Sequence, residues 1–223
     1  GDKDEWDGMN SGRVINGSGS AWASLIAGAA RVATHDQQAS NAAYQRLLGN
    51  NPDGTDNVDL ETLLDVDHYI DYLIANFYSG NTDWPGKNFY VGRLRGPEST
   101  GFKFYSWDAE FLFSSIEENV TGVSTAVTTP YSHLRSNDEF RLRFADRVHK
   151  HFFNGGALSV VPGNARWDPQ HPERNVPASR YDQLARHVEL PLVAESARWG
   201  DTMRLNLPYT LVEWGAFRDS LLK

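Results

Sequence analysis

The chain has 223 residues, of which 40% are hydrophobic and 12% aromatic, and its formal net charge is -8. That length suits one domain, or one domain with a small appendage, and seven Trp and eleven Phe argue against disorder. The absence of cysteine excludes disulfides, thiolate zinc sites and cysteine nucleophiles, and an acidic chain without a basic run lacks the electrostatic footprint of a nucleic-acid binder.

No run is long and apolar enough to span a membrane, and no signal peptide is visible at Gly1. The charged opening, Gly1 to Asp7 without an initiator Met, reads as a piece cut from a longer protein with its upstream part missing. Residues 1–19 are polar and Gly-rich, with a turn signal at Asn16-Gly17-Ser18-Gly19. Ser20 then suits the N-cap of a first helix carrying Trp22, Leu25, Ile26, Ala29 and Val32. A second helix is expected from about Ser40 to Leu48, closed by Gly49. Asn50 to Asn57 reads as a solvated acidic turn. The calcium-loop pattern fails there, because placing Gly54 at the required glycine puts Gly49 and Leu60 at ligand positions.

A third helix follows, capped by Asp65 or Asp67, striped by Tyr69, Ile70, Leu73, Ile74 and Phe77, and ended by Gly80. A helix this apolar on one face is buried and holds the next loop rigidly. Phe89 to Leu94 and Phe102 to Tyr105 read as two strands of a hairpin. If the second strand continues, Phe102, Phe104, Ser106, Asp108 and Glu110 share one face. Ser114 to Ser132 reads as a long loop, and Asn137 caps a helix bearing Phe140, Phe144, Val148 and Phe152. Val160 to Val176 is a loop with three prolines. Ser179 to Trp199 is helical in pattern, kinked or divided at Pro191, and a last helix spans about Thr210 to Leu222. The fold class is α+β, mostly helical, with a small central β-hairpin.

The chemistry concentrates around that hairpin. Asp83 and Asn88 are spaced D-x-x-x-x-N in the loop after the buried helix, and Asp108 stands at the exit of the next strand pair. A protein-kinase C-lobe lays out its phosphoryl-transfer residues in this order. Phosphoryl transfer needs a carboxylate to take the acceptor's proton and hard oxygen ligands to hold Mg²⁺. Asp83 suits the base, with Asn88 and Asp108 as metal ligands. Glu110 supports Asp108 or a second metal, and Lys87, inside the same pattern, either touches a phosphate or is simply solvated. The same residues also suit an ordinary turn, with Asp83 opening it, Asn88 capping it and Asp108 paired with an arginine. Elsewhere, Glu195, Arg198 and Asp201 fit i,i+3 ion pairing, while His149 and His151 face apart and make no metal pair. Trp84, Trp167 and Trp199 look exposed and suited to stacking on sugar rings, although Trp is more often partly buried core.

The run from Asp67 to Pro85, then Asn88-Phe89-Tyr90, then Phe104 to Glu110, resembles the CotH family of spore coat protein H-like kinases. Phe140 to Gly156 and Glu195 to Asp201 are similar to that family's C-terminal half. The resemblance implies a protein-kinase-like C-lobe and an exported bacterial enzyme at the cell surface. It implies Asp83 as the catalytic-loop aspartate, Asn88 and Asp108 as metal ligands, and ATP with Mg²⁺ or Mn²⁺ as the phosphoryl donor. The acid after Trp-Asp is usually Asp in the family and is Glu110 here. No Gly-rich phosphate loop or strand-borne ATP lysine is recognisable, and Lys3 is a poor candidate for one. The nucleotide-clamping lobe is therefore expected upstream of Gly1, and little activity is expected of this piece alone. Expected partners are a protein substrate or cell-surface components, met by a monomer. Two other functions fit the same residues: an inert adhesion or carbohydrate-binding module, and a metal-dependent phosphoesterase using Asp83, Asp108 and Glu110.

Overall fold

The computed structural model describes residues 6–202 and 204–223. Lys3 lies outside them. The chain divides into two compact units, Gly1–Arg147 and Val148–Lys223. The first carries strands β1 (Trp6–Asn10) and β2 (Arg13–Asn16), then helices α1 (Ser20–Val32), α2 (Gln37–Leu47) and α3 (Val66–Tyr78). Strands β3 (Phe89–Leu94) and β4 (Lys103–Ser106) follow, then α4 (Thr129–Leu134) and α5 (Asp138–Phe152), which runs across the boundary.

The strands form one antiparallel sheet in the order β2-β1-β3-β4. The expected hairpin is thus one half of a larger sheet. The residues β1 buries are Asp7 and Met9, so its sequence lacks the apolar alternation that marks a strand. Asp7 stands opposite Arg93 of β3 in register. Both are 4% exposed, and Arg93 Nε donates to Asp7 Oδ2 at 3.1 Å. Arg95 Nε reaches Asp7 Oδ1 at 3.0 Å, and Arg93 also pairs with Glu61 at 2.7 Å. Burial alone would raise the Asp7 pKa. Hydrogen bonds from the Ser18 N–H, Arg93 and Arg95 outweigh it, and the carboxyl titrates below its ordinary value. Gly17 is needed beside this cluster. Its φ is +68°, and a Cβ there would lie 2.3 Å from Asp7 Oδ1.

Helix α3 carries the core. Asp65 caps it by accepting the His68 N–H at 3.1 Å. Its buried face meets β4, where Phe104 lies 4.4 Å from the ring of Tyr69 and 5.7 Å from that of Tyr72. The outer face is held by Asp67 to Arg143 at 2.7 Å and by Asp71 to Arg147. His68 Nδ1 accepts the Phe104 N–H at 3.2 Å, which ties the start of α3 to β4. Burial lowers the His68 pKa below its ordinary value; Lys103 lowers it further, and Asp65 and Asp71 oppose.

Other expectations shift by small, explicable amounts. Ser20 is the first residue of α1 rather than its cap. Asp36 caps α2 through two backbone N–H groups, so that helix starts before Ser40. The loop after Ser114 ends early, in a short 3-10 turn at Ala126–Thr128 and then α4. The Tyr69 hydroxyl fixes that segment, donating to Val127 O at 2.8 Å and accepting the Tyr131 N–H at 3.1 Å. Asn137 caps α5 as expected, accepting the Phe140 N–H at 3.0 Å.

The second unit holds α6 (Val176–Trp199) and α7 (Leu211–Leu221). Pro191 lies inside α6 without dividing it, and the helix, capped by Asn175, begins at Val176, three residues ahead of Ser179. Arg198 lies over the ring of Trp199, 4.9 Å from its centroid, and makes no ion pair with Glu195 or Asp201 among the described residues. Trp199 is exposed as expected. Among the described residues no helix is long and apolar enough to cross a membrane.

Two outcomes follow from these contacts. Asp7→Ala leaves a buried guanidinium with Glu61 as its one carboxylate partner. It should cost about 3 kcal/mol, the low end for breaking a buried pair, read as a lower urea midpoint at unchanged slope. For His68, the unfolded chain binds the proton more readily than the folded one. Stability should therefore be full above pH ~6.5 and fall as pH drops through the window down to the lowered folded pKa. Tm measured against pH should lose that step in His68→Gln.

Candidate functional site

Asn88 and Asp108 are twenty positions apart in sequence but flank the same end of the β3–β4 pair. Phe89 stands opposite Ser106, and the Trp107 N–H donates to Asn88 O at 3.2 Å, extending the ladder by one rung. Antiparallel pairing therefore brings the two together. Both leave the extended conformation, Asn88 at φ 59° and Asp108 at φ 51°. Asn and Asp tolerate this left-handed region better than other side-chain-bearing residues. The turn at Asp108 also corrects the expectation that Ser106, Asp108 and Glu110 continue one strand face: β4 ends at Ser106, and alternation stops there.

The loop bearing Asp83 is pinned on both sides. Trp84, read from sequence as exposed, is 4% exposed and lies 5.9 Å from the ring of Tyr72 and 5.7 Å from that of Phe77. Its indole N–H donates to the Tyr72 hydroxyl at 2.5 Å. The Trp84–Pro85 peptide is cis. Thr82 N–H donates to Phe111 O at 3.2 Å and Phe113 N–H to Ser79 O at 2.8 Å, which joins the Asp83 loop to the segment after Asp108.

One amide then links the candidates. Asn88 Nδ2 donates to Asp83 Oδ2 at 2.6 Å and to the Asp108 carbonyl at 3.2 Å. Both partners only accept, so the amide orientation is fixed and Oδ1 is left with its acceptor capacity. No described residue donates to that oxygen. Asp83 Oδ1 pairs with Lys87 Nζ at 2.8 Å. The Lys87 pKa is raised first by its hydrogen bond and charge attraction to Asp83, then by the charges of Glu110 and Asp108. Lys87 and Asp108 are exposed, Asp83 is part-buried, and Asn88 is buried. The Asp108 carboxylate makes no hydrogen bond or ion pair among the described residues, contrary to the reading in which an arginine holds it. Glu110 is exposed and reaches the others only through its charge on Lys87.

Among the described residues no three His, Asp or Glu side chains gather into a metal-ligating group. A hard cation here would rest on a mixed donor set of carboxylates, the Asn88 amide oxygen and water. That set fits Mg²⁺ or Mn²⁺, which take oxygen donors and, for Mg²⁺, keep several waters.

Spacing alone does not single out three further residues of the site, Asn76, Asn81 and Ser106. Asn81 is 1% exposed, and its Oδ1 accepts the Asp83 N–H at 3.2 Å. The signal for Asn76 is a polar residue on the apolar stripe, four after Tyr72 and three after Leu73.

A family model described as CotH kinase protein matches residues 19–153. The match takes in the whole candidate site and stops before Glu195 to Asp201. No curated protein and no solved structure matches the chain.

The bridging amide can be tested by charge. Asn88→Asp sets a second carboxylate against Asp83, and two such groups cannot both ionise cheaply, so one carboxyl pKa rises above its unfolded value. Relative to the parent, the variant should therefore be least destabilised at acid pH and lose stability as pH rises through that raised pKa, the reverse of an ordinary carboxylate. Tm against pH for the variant and parent chains reads the sign directly.

Proposed function

The chain belongs to the CotH kinase protein family, and from that premise we propose that it carries the phosphoryl-transfer residues of a kinase that moves the γ-phosphoryl group of ATP to a protein hydroxyl. The observation that carries this reading is the Asn88 amide, which holds Asp83 and the Asp108 turn together while keeping its own oxygen for a ligand. Asp83 takes the proton of the acceptor hydroxyl. The acceptor oxygen bonds to the γ-phosphorus as the bond from that phosphorus to the β–γ bridging oxygen breaks, and ADP leaves. Asn88 and Asp108 would hold the metal, with Glu110 as a further carboxylate whose charge acts on the same Lys87. A bound Mg²⁺ or Mn²⁺ supplies neutralisation of the phosphate charge. Lys87, already drawn to these carboxylates, is placed to exchange Asp83 for a phosphate oxygen. The proposal extends to an exported, cell-surface setting, which rests on family membership.

The test has two parts. Calorimetric titration of the 223-residue chain should show Mn²⁺ binding. Asp108→Ala should weaken it more than about 100-fold, beyond the cost of losing an outer partner. The natural full-length protein should transfer γ-phosphate from ATP, and Asp83→Asn should lower kcat by about 10²- to 10⁴-fold, the range for a general base. Phosphate released from a model ester without ATP would point to a phosphoesterase. Full transfer by the Asp83 variant would overturn the assignment.

A further inference from the structure

Asn76 lies in the last turn of α3 and is 3% exposed. Burying an amide is costly unless every polar atom is paired. Here all of them are paired. Asn76 Nδ2 donates to Tyr72 O at 2.8 Å and to Ser106 Oγ at 3.1 Å. Its Oδ1 accepts from Asn81 Nδ2 at 2.9 Å and lies 3.3 Å from Ser106 Oγ.

Three segments therefore meet on one side chain: α3 itself, the loop leading to Asp83, and the last residue of β4, two positions before Asp108. The chain of bonds also has a fixed direction. The Tyr72 carbonyl can only accept, which forces Asn76 Nδ2 toward it and Oδ1 toward Asn81. The Asp83 N–H can only donate, which forces Asn81 Oδ1 toward it and Nδ2 toward Asn76. Each end is a backbone group with one possible role, so a flip of either amide would set oxygen against oxygen at one of its contacts and N–H against N–H at the other.

Resting on the metal-site reading above, we infer that Asn76 is a positioning residue that sets the separation of Asp83 and Asp108. It touches neither substrate nor metal. It acts through Asn81 on the one and through Ser106 on the other.

The test uses Asn76→Asp in the 223-residue chain. The substitution is isosteric and makes the donor to Tyr72 O conditional on protonation. A protonated carboxyl donates to Tyr72 O and accepts from Asn81 as the amide does; an ionised one still accepts from Asn81 but donates to neither Tyr72 O nor Ser106 Oγ. Burial raises the pKa of such a group, so the change falls between roughly pH 5 and pH 9. Mn²⁺ affinity is measured across that range, well below the melting temperature. The ratio of variant to parent dissociation constants should be near one at the acid end and rise roughly tenfold at the alkaline end, the scale for losing an outer partner of a metal site. Ser106→Ala, which leaves the helix interior intact, should weaken Mn²⁺ binding without a pH-dependent ratio. A ratio flat with pH together with unchanged affinity in Ser106→Ala overturns the inference.

Hydrogen exchange at the Asp83 amide, followed by NMR in the parent chain and in Asn76→Leu, whose side chain is close in size and accepts nothing from Asn81, reads the relay without metal. Protection lost in Asn76→Leu, in a chain that binds no manganese, sinks the metal reading and keeps Asn76 as the residue that holds the loop. Unchanged protection overturns the relay whatever the metal does.

Discussion

The site depends on the register of β3 against β4. With Phe89 opposite Ser106, Asn88 falls opposite Trp107 and its amide reaches the Asp108 carbonyl one residue on. A slip of one residue would turn Phe104 from the core to the other face and separate the pair. The register is held from both sides. On one, Phe104 is fully buried among Tyr69 and Tyr72 of α3, a burial on the scale of about 2–3 kcal/mol for a large apolar side chain. On the other, β1 pairs along the whole length of β3. The entry to β4 is fixed too. Gly101 (φ +86°) passes so close to the chain that a Cβ would lie 2.6 Å from Leu64 backbone atoms, and Phe102 N–H donates to Leu63 O at 2.9 Å.

The β1 to β3 contact is an unusual place for charge. Asp7 and Arg93 face each other where two apolar residues would pack more cheaply, since desolvating both ions offsets much of their attraction. Arg93 Nη1 is buried without a partner, an added cost, although the guanidinium also lies 5.5 Å from the ring centre of Phe102. What the pair supplies is specificity of register. Asp7 is satisfied only when Arg93, Arg95 and the Ser18 N–H all reach it, and a shifted β1 would bury a carboxylate with none of them.

This also explains what the sequence made legible. Helix α3 could be read because Tyr69, Ile70, Leu73 and Ile74 recur at helical spacing and Asp65 precedes them, and the structure places it within two residues of the expectation. The β3–β4 strands could be read because Phe89, Val91, Phe102 and Phe104 alternate inward. Asp83 and Asn88 could be read as a pair from their spacing, and the amide between them bears out their proximity. β1 and β2 could not, since one of the two inward residues of β1 is an acid whose partner lies 86 positions away. Trp84 read as exposed because its run, Thr82-Asp83-Trp84-Pro85-Gly86, is otherwise turn chemistry. Only the tertiary position of Tyr72 and Phe77 shows that the indole is core. Asn76 was hidden for the opposite reason: on a stripe of apolar residues, a polar side chain reads as noise unless its partners are visible.

Exposure runs in order across the site. Asn76 and Asn81 are nearly inaccessible, Asp83 is part-buried, and Asp108 and Lys87 are open. The groups that hold position are thus in low dielectric, where hydrogen bonds are strong and a missing partner is costly. The groups that would meet a ligand stand where water can be exchanged for it. A carboxylate as exposed as Asp108 has little of its own to fix it. Its left-handed backbone and the bond from Asn88 to its carbonyl do so instead, leaving the side-chain oxygens uncommitted. Rigidity is built into the main chain and the buried amides, and reactivity is left to the side chains at the edge. That division lets a small sheet and one apolar helix present their acids at a defined spacing.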